Sequence, residues 1–427
     1  MNRQIDFLIT RLRTSTLLKS SMIMFVSTQI ANVSAYVFQF CISRMLGVIL
    51  FGTYNSLLSL YCIIVIPTQV IMMVVARYTA NFYAKQEKAK LYLFIRNSFL
   101  LVLLLGALIL GSFFMFAPLI SGFLKLDRAG YLILVGIIAS LSYIVIVGAG
   151  YLQGIQKFFR LGGYLAGMGL VRLIGGVLLV WWGFGVYGAL TGSILGFSIV
   201  IVIFWSPLKE LFTWKEEGVQ VERHTREIFQ YSIPVMLAAL SFHSYIYIDL
   251  VLVKHFFSVN EVGHYAAAAV LGRAVFYFST AIAFAMFPKI AEAEALGQNS
   301  FIILKKALLM TGVLSFVAFL ILSIFPGLMI RILFGHGYEL SFALLPVYAL
   351  AMVPLSLSNL MVQFCVARKD FMFIGVLVAG LFLLCAGIGF FHSSLTRVIW
   401  ILAICNSLVA FCLGGLIFIQ SRLTKNP

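Results

Sequence analysis

The sequence predicts an all-α polytopic membrane protein, with 12 transmembrane helices in two parallel six-helix halves (6+6). Three observations lead to this prediction: the composition, a regular series of apolar runs, and an internal repeat. Of the 427 residues, 62% are hydrophobic and 10% are charged, whereas a soluble domain has about 25% charged residues. A soluble chain of this length leaves roughly a quarter of its surface in water. Because so much apolar surface could not be buried, we exclude a soluble enzyme, a secreted disulfide scaffold and a disordered protein.

Twelve apolar runs are long enough for membrane helices, which need about 20 residues each. Charged residues, glycines and prolines separate them. No small-residue cleavage site follows the first run, so we expect it to be retained as a helix. The runs cover residues 18–45, 52–78, 91–119, 129–153, 161–182, 186–205, 228–256, 261–287, 301–325, 340–366, 371–391 and 395–420.

The distribution of lysine and arginine predicts the orientation. With the N-terminus inside, 21 of the 30 Lys and Arg residues fall in cytoplasmic segments and six in the opposite loops. This asymmetry predicts cytoplasmic N- and C-termini in an inner (cytoplasmic) membrane. The net charge of +16 therefore indicates topology and contact with anionic membrane lipids. We expect no nucleic-acid binding, because the basic residues are scattered over many short loops.

An internal repeat relates the two halves of the chain. Phe51-Gly52-Thr53-Tyr54 matches Val262-Gly263-His264-Tyr265 at an offset of 211 residues, and two further short segments match at 211 or 212. Six spans per copy is an even number, so both halves have the same orientation. We predict an N-terminal half at 1–205, a polar cytoplasmic linker at 206–227 and a C-terminal half at 228–427. Two such halves around a cleft can provide alternating access.

The chemistry of the chain favours a transporter over an enzyme. The six cysteines lie in apolar runs without a C-x-x-C pair, which indicates neither a metal site nor a disulfide framework. The G-x-x-x-x-G-K-[ST] motif of ATP-binding loops does not occur. We therefore expect no catalytic residues, no metal and no cofactor. The classes of membrane protein that fit these observations are a secondary transporter, a facilitator and a flippase.

Several short motifs resemble the polysaccharide transporter (oligosaccharide flippase) family of the multidrug/oligosaccharidyl-lipid/polysaccharide exporter superfamily. They are Gln39-Phe40, Ser43 to Gly47, Phe51 to Tyr54, Val75 to Tyr78, Gln153-Gly154 and Leu333 to Tyr338. The resemblance implies a V-shaped bundle like that of the multidrug and toxin extruders, with spans one, two, seven and eight lining the cavity. It also implies movement of an undecaprenyl-type lipid-linked oligosaccharide from the cytoplasmic to the outer leaflet.

Arginines within the predicted spans are the first candidates for a substrate site, because ionisable side chains deep in a bilayer are costly. Arg172 lies in the middle of the fifth span, Arg273 about twelve residues into the eighth, and Arg77 at the inner end of the second. A lipid-linked sugar carries a diphosphate, and the guanidinium fork suits its oxygens. Alternatively, Arg273 pairs structurally with Asp249, and Arg77 reaches the inner headgroups.

Asp249, His243 and Tyr277 complete the candidate set. Asp249 either neutralises Arg273, binds a coupling H+ or Na+, or contacts sugar hydroxyls. His243 is either a satisfied polar residue or part of a proton relay. Tyr277 lies deep enough to stack on a sugar, whereas we expect Tyr265 to lie in the aromatic belt at the membrane interface.

Three functional hypotheses follow. The first is a flippase for a polyprenyl diphosphate-linked oligosaccharide, working with a polysaccharide polymerase and glycosyltransferases in cell-surface polysaccharide biosynthesis. The second is a cation-coupled multidrug antiporter of the same fold. The third is a non-transporting scaffold of a glycan-assembly complex. The arginine-rich, carboxylate-poor spans favour the first, since a pocket for cationic drugs needs negative charge.

Overall fold

A computed structural model describes residues 2–212, 225–296, 298–368 and 370–423. The middle of the predicted linker, 206–227, lies outside these ranges. Thirteen α-helices and one π-helical turn, Val180–Phe184, form the described chain. The α-helices are α1 Asn2–Ile64, α2 Ile66–Ala84, α3 Lys88–Phe123, α4 Gly130–Gly154, α5 Phe158–Leu179, α6 Gly185–Phe212, α7 Thr225–Phe256, α8 Val259–Ala295, α9 Phe301–Ile324, α10 Pro326–Phe334, α11 Ser341–Ala367, α12 Phe373–Phe390 and α13 Leu395–Leu423.

Ten stretches of the described chain are long and apolar enough to cross a membrane, which establishes a multi-pass membrane protein. Two of them are much longer than one crossing requires. Met22–Ala84 has 63 residues and Phe158–Val202 has 45, or about 95 and 68 Å of helix at 1.5 Å per residue, against a hydrocarbon core of about 30 Å. Each is long enough for two crossings, so the predicted count of 12 is compatible with these lengths and stays a prediction.

The backbone breaks inside both long stretches at glycines. Gly47, within α1, has φ 69° and ψ 177°, and Gly183 and Gly185 have φ values of 93° and 54°. A side chain is strained in this region of φ, whereas glycine adopts it freely. The sequence therefore places residues that permit a reversal of direction where the predicted spans meet.

The contacts of the chain divide it into two compact units. Unit 1 comprises residues 1–45, 68–120 and 128–228, and unit 2 comprises residues 46–67, 121–127 and 229–427. The segments 46–67 and 121–127 thus pack with the C-terminal part of the chain. The predicted halves at 1–205 and 228–427 stay a prediction.

In unit 1, α6 packs against α4 and α5, and α4 also lies directly on α2. A Cβ atom built on Gly154 would fall 2.7 Å from the carbonyl oxygen of Ala76, and one on Gly150 would fall 3.0 Å from that of Met72. Two small residues one helical turn apart therefore bring the backbones of α2 and α4 together. This close packing fixes the side chains at the ends of both helices.

In unit 2, α11 is the central helix and packs against α8, α9 and α13. The start of α8 also meets the segment after Gly47. A Cβ atom built on Gly52 would lie 2.6 Å from the backbone nitrogen of Gly263, and one on Gly263 would overlap the carbonyl oxygen of Val48. The two glycines that the internal repeat equates are therefore in direct contact.

Candidate functional site

A buried polar cluster joins α7, α8 and α11 in unit 2. Asp249, from α7, has no exposed surface and forms an ion pair with Arg273 of α8, with 3.1 Å between Oδ1 and Nη2. Its other oxygen, Oδ2, accepts hydrogen bonds from the hydroxyls of Tyr265 at 2.9 Å and Tyr348 at 2.7 Å. Arg273 Nε in turn donates to the Tyr348 hydroxyl at 3.3 Å. A buried charge pair is tolerated only when its remaining hydrogen-bonding capacity is satisfied, and these tyrosines contribute to that.

A second pair of tyrosines extends the cluster along α7 and α8. The guanidinium carbon of Arg273 lies 5.0 Å from the centre of the Tyr247 ring, within the range of a cation–π contact. The Tyr247 hydroxyl is 3.2 Å from that of Tyr277, which is 40% exposed. Tyr277 is therefore the exposed end of a series of contacts that leads from Asp249 through Arg273 and Tyr247.

The structure shows the contacts that two residues named in the sequence analysis make here. Arg273 pairs with Asp249, which is one of the alternatives given for each of them, and contact of either residue with a substrate stays a prediction. The expectation that Tyr265 lies in the interface belt is wrong, because its side chain is fully buried and donates to Asp249. The reason is that α11 packs over this face of α8 and excludes it from the membrane interface.

His243 lies about one and a half turns before Asp249 on α7 and is half-buried. Its Nδ1 is 2.9 Å from the carbonyl oxygen of Ala239, four residues earlier. This contact satisfies one ring nitrogen within its own helix. Roles for Asp249 and His243 in binding a coupling H+ or Na+ stay a prediction.

Arg172 occupies a different environment, in unit 1. It lies on α5 and is half-buried, with its guanidinium carbon 4.9 Å from the centre of the Phe38 ring on α1. An aromatic face attracts the charge without neutralising it. Contact of Arg172 with a substrate stays a prediction.

Arg77 lines a cavity of about 680 Å³ in unit 1. Its side chain is exposed, and none of the ion pairs found in the described part of the chain includes it. The other lining residues come from α2, the end of α4, the turn after it and the start of α5. They are Gln69, Met72, Met73, Ala76, Ala80, Gln153, Gly154, Gln156 and Phe158.

Tyr348 and Lys254 take part in buried polar contacts and were not among the sequence-derived candidates. Tyr348 was missed because one tyrosine among 18 cannot be selected until the packing of α11 on α8 is known. Lys254, near the end of the predicted span 228–256, was one of the six cations assigned to the outer side. Only 1% of it is exposed, and its Nζ donates to Thr53 Oγ1 at 3.1 Å.

The fold is that of transporters of the multidrug/oligosaccharidyl-lipid/polysaccharide (MOP) superfamily. An inward-facing multidrug resistance MATE family transporter matches with a TM-score of 0.76 at 13% identity, covering 95% of this chain and 99% of that one. The lipid II flippase MurJ in an inward closed conformation matches with a TM-score of 0.68 at 16% identity, covering 94% and 87%. A MOP superfamily transporter from Pyrococcus furiosus matches with a TM-score of 0.61 at 16% identity, covering 95% and 96%.

The chain belongs to the polysaccharide biosynthesis protein family, whose model matches residues 84–343. An uncharacterized membrane protein of Methanocaldococcus jannaschii is 24% identical in an alignment of 305 residues that covers 66% of this chain and 69% of that protein. The family match confirms the resemblance derived from the short motifs. It covers more than half of the chain and includes the α4–α5 turn, all of α7 and α8, and the start of α11.

Proposed function

We propose that the protein is a membrane flippase that moves a polyprenyl diphosphate-linked oligosaccharide from the inner to the outer leaflet for cell-surface polysaccharide biosynthesis. The observation on which this proposal rests is membership of the polysaccharide biosynthesis family by a chain with the fold of MOP superfamily transporters. Movement of a lipid-linked saccharide across the membrane makes and breaks no covalent bond. The proposal therefore includes no enzymatic step.

The charge of the buried side chains supports this choice over a cation-coupled multidrug antiporter. Among the residues whose side chains the structure describes, Asp249 is the only buried carboxylate, and it already accepts hydrogen bonds from Arg273, Tyr265 and Tyr348. An antiporter for cationic compounds needs negative charge that the compound can reach. The exposed Arg77 and the half-buried Arg172 instead favour an anionic cargo.

In the proposed cycle, arginines bind the diphosphate and an aromatic ring contacts the glycan. Arg77 and Arg172 are the proposed phosphate ligands, because guanidinium donates two parallel hydrogen bonds to phosphate oxygens. Arg273 joins them only if its pair with Asp249 opens, which would link substrate binding to a change at Asp249. Tyr277 is the proposed stacking residue for a sugar.

A reconstituted transport assay tests the proposal. Proteoliposomes would carry a fluorescent short-chain polyprenyl diphosphate oligosaccharide, and a membrane-impermeant quencher would report the fraction exposed in the outer leaflet. We expect the purified protein to accelerate movement of this lipid between the two leaflets, compared with protein-free liposomes. It should not accelerate the movement of a fluorescent phosphatidylcholine. Exchange no faster than in protein-free liposomes, together with proton- or sodium-driven efflux of a cationic dye, would establish the antiporter instead.

A cellular assay tests the biological context. In cells that lack their own flippase, expression of this chain should restore surface polysaccharide, provided that the polymerase and glycosyltransferases of the pathway are present. The level of the protein in the membrane is the control for expression. A normal membrane level without surface polysaccharide, in cells whose lipid-linked precursor it can bind, would contradict the proposed cargo movement.

A further inference from the structure

We propose that the cavity around Arg77 is a binding site for the phosphorylated, hydroxyl-rich headgroup of a lipid-linked saccharide. We name it the amide cavity and define it by Arg77, Gln69, Gln153 and Gln156, with Met72 and Met73 as its apolar wall. The proposal rests on the function proposed above and specifies where the cargo is first held. It is independent of the buried cluster around Asp249, which lies in unit 2.

The side chains of the amide cavity match two different parts of such a ligand. Arginine has donors only and carries a fixed positive charge, which suits phosphate oxygens. A glutamine amide both donates and accepts, which suits sugar hydroxyls that do the same. One arginine with three glutamines is therefore a combination for an anion that is attached to a polyol.

The size of the amide cavity supports a ligand longer than a single phosphate. It is an open depression of about 680 Å³, whose defining polar side chains are exposed, so it has room for more than one phosphate group. Gln69 and Arg77 are eight residues apart on α2 and therefore about 12 Å apart along the helix axis. The phosphate of an ordinary phospholipid can reach only one of them, whereas a diphosphate with its first sugars can reach both.

The local backbone holds the glutamines in place. Gly150 and Gly154 set α4 directly on α2, so that Gln153 lies level with the turn of α2 that precedes Arg77. After α4, Gln156 adopts φ 60°, and its N–H donates to the carbonyl of Gln153 at 3.1 Å. This turn sets the backbone positions of both glutamines at the mouth of the cavity, where their side chains are exposed.

The location is also consistent with loading from the cytoplasmic leaflet. The turns after α2 and α4 carry Lys85 and Lys157, the first turns of α3 and α5 carry Lys88 and Arg160, and the distribution of basic residues predicts that this end is cytoplasmic. Arg77 is seven residues before the end of α2, or about 10 Å along the axis. A headgroup at Arg77 would therefore lie just below the phosphates of the inner leaflet.

Equilibrium binding to the purified full-length protein, measured by native mass spectrometry, tests the amide cavity. The probes are a short-chain polyprenyl diphosphate with a saccharide, the same lipid without the saccharide, and phosphatidylglycerol. Arg77→Ala should weaken binding of both diphosphate lipids about tenfold, because a charge-assisted pair is lost, and Arg77→Lys should weaken it less. The matched control Arg96→Ala, an exposed arginine of α3 in the same unit, should bind like the wild type.

The double variant Gln69→Leu/Gln153→Leu separates the two parts of the ligand. It should weaken binding of the saccharide-bearing lipid several-fold and leave the sugar-free diphosphate lipid unaffected. Equal loss for both lipids, Arg77→Ala binding like Arg96→Ala, or phosphatidylglycerol binding as tightly as the saccharide lipid would each overturn the proposal. The last result would identify a site for an ordinary membrane lipid.

Transport by the same proteins distinguishes failure of the site from failure of the function. If the wild type moves the saccharide lipid and Arg77→Ala binds and moves it equally well, the amide cavity is not the site but the flippase function stands. If the wild type binds in an Arg77-dependent manner without moving the lipid, the site stands and the flippase function does not. Melting temperatures of all variants show whether any loss arises from unfolding.

Discussion

At the scale of single residues, the buried pair of Asp249 and Arg273 is where the structure constrains function most. Each charge has a partner at hydrogen-bonding distance, and Tyr348 contacts both of them. Removing one charge leaves the other buried without its partner, which costs more than replacing both. The pair can therefore serve as a structural tie between α7 and α8 even if it also opens during transport.

We predict that Asp249→Asn and Arg273→Gln each destabilise the protein by about 3–5 kcal/mol, and that the double variant is more stable than either single variant. Thermal unfolding in detergent and the amount of folded protein in membranes are the measurements. Arg397→Gln, at an exposed arginine of unit 2, is the control. Two single variants of normal stability would show instead that the charges act independently.

Arg172 gives a separate prediction, because its charge faces the Phe38 ring and not the buried pair. If it binds a diphosphate, Arg172→Ala abolishes transport while the protein still reaches the membrane. Arg172→Lys keeps the charge but loses the fork, so it should retain only part of the activity. Surface polysaccharide, normalised to protein level, is the readout. Full activity of Arg172→Ala would remove this residue from the mechanism, and low protein levels would indicate a structural role.

The candidate site could be predicted in part, for reasons that are physical. Asp249 and Arg273 are conspicuous as charges in apolar helices, and a helical hairpin brings them within reach. The hydroxyls that complete their hydrogen bonding are not conspicuous, since Tyr265 and Tyr348 look like many other aromatic residues of a membrane protein. The contact of Lys254 with Thr53 joins positions 201 residues apart, and the apolar pattern carries no information about it.

At the scale of helices, the apolar runs located the elements but not the points at which the backbone turns. A loop at 46–51 was expected between the first two spans, whereas α1 continues to Ile64 and is broken only at Gly47. The helical break that follows lies at Val65, and Pro67 falls in the first turn of α2, where its missing N–H is tolerated. Hydropathy indicates which residues avoid water. It does not locate the turns of the backbone, because in this chain those depend on single glycines.

The contact of Gly52 with Gly263 predicts which glycine substitutions the protein tolerates. Gly263→Ala should destabilise it by about 1–3 kcal/mol, because the new methyl group would overlap the Val48 carbonyl. Gly375→Ala on α12 is the matched control, since nothing lies within 4 Å of its Cβ position. Thermal unfolding compares the two variants. Equal stability would mean that the two helix starts do not touch in the membrane.

At the scale of the whole molecule, the two long apolar stretches decide the topology. If Gly47 reverses the chain, the N-terminus and the turn at Gln86 lie on the same side of the membrane; if 22–84 crosses once, they lie on opposite sides. Likewise, the stretch 158–202 crosses the membrane twice if the chain reverses at Gly183 and Gly185, and once if it does not. Twelve crossings with both termini inside follow only when both long stretches cross twice.

Cysteine labelling with a membrane-impermeant maleimide tests this topology. We predict that cysteines introduced at Gln86, at Lys157 and in an N-terminal tag react only after permeabilisation of the cell. Asp127→Cys should react in intact cells. Each position lies between described helices, so a small side chain should be tolerated there. Labelling of Gln86→Cys in intact cells would contradict a reversal at Gly47.

The contact between Gly52 and Gly263 also restricts how the sequence of such a chain can evolve. In a symmetric dimer, a residue on the two-fold axis meets its own copy, so that any enlargement collides with itself. In this chain the equivalent positions, Gly52 and Gly263, are encoded separately, yet their backbones remain in contact. Either residue can gain a side chain only if the other helix start moves away. At this point each copy of the repeat therefore limits the side chain that the other can carry.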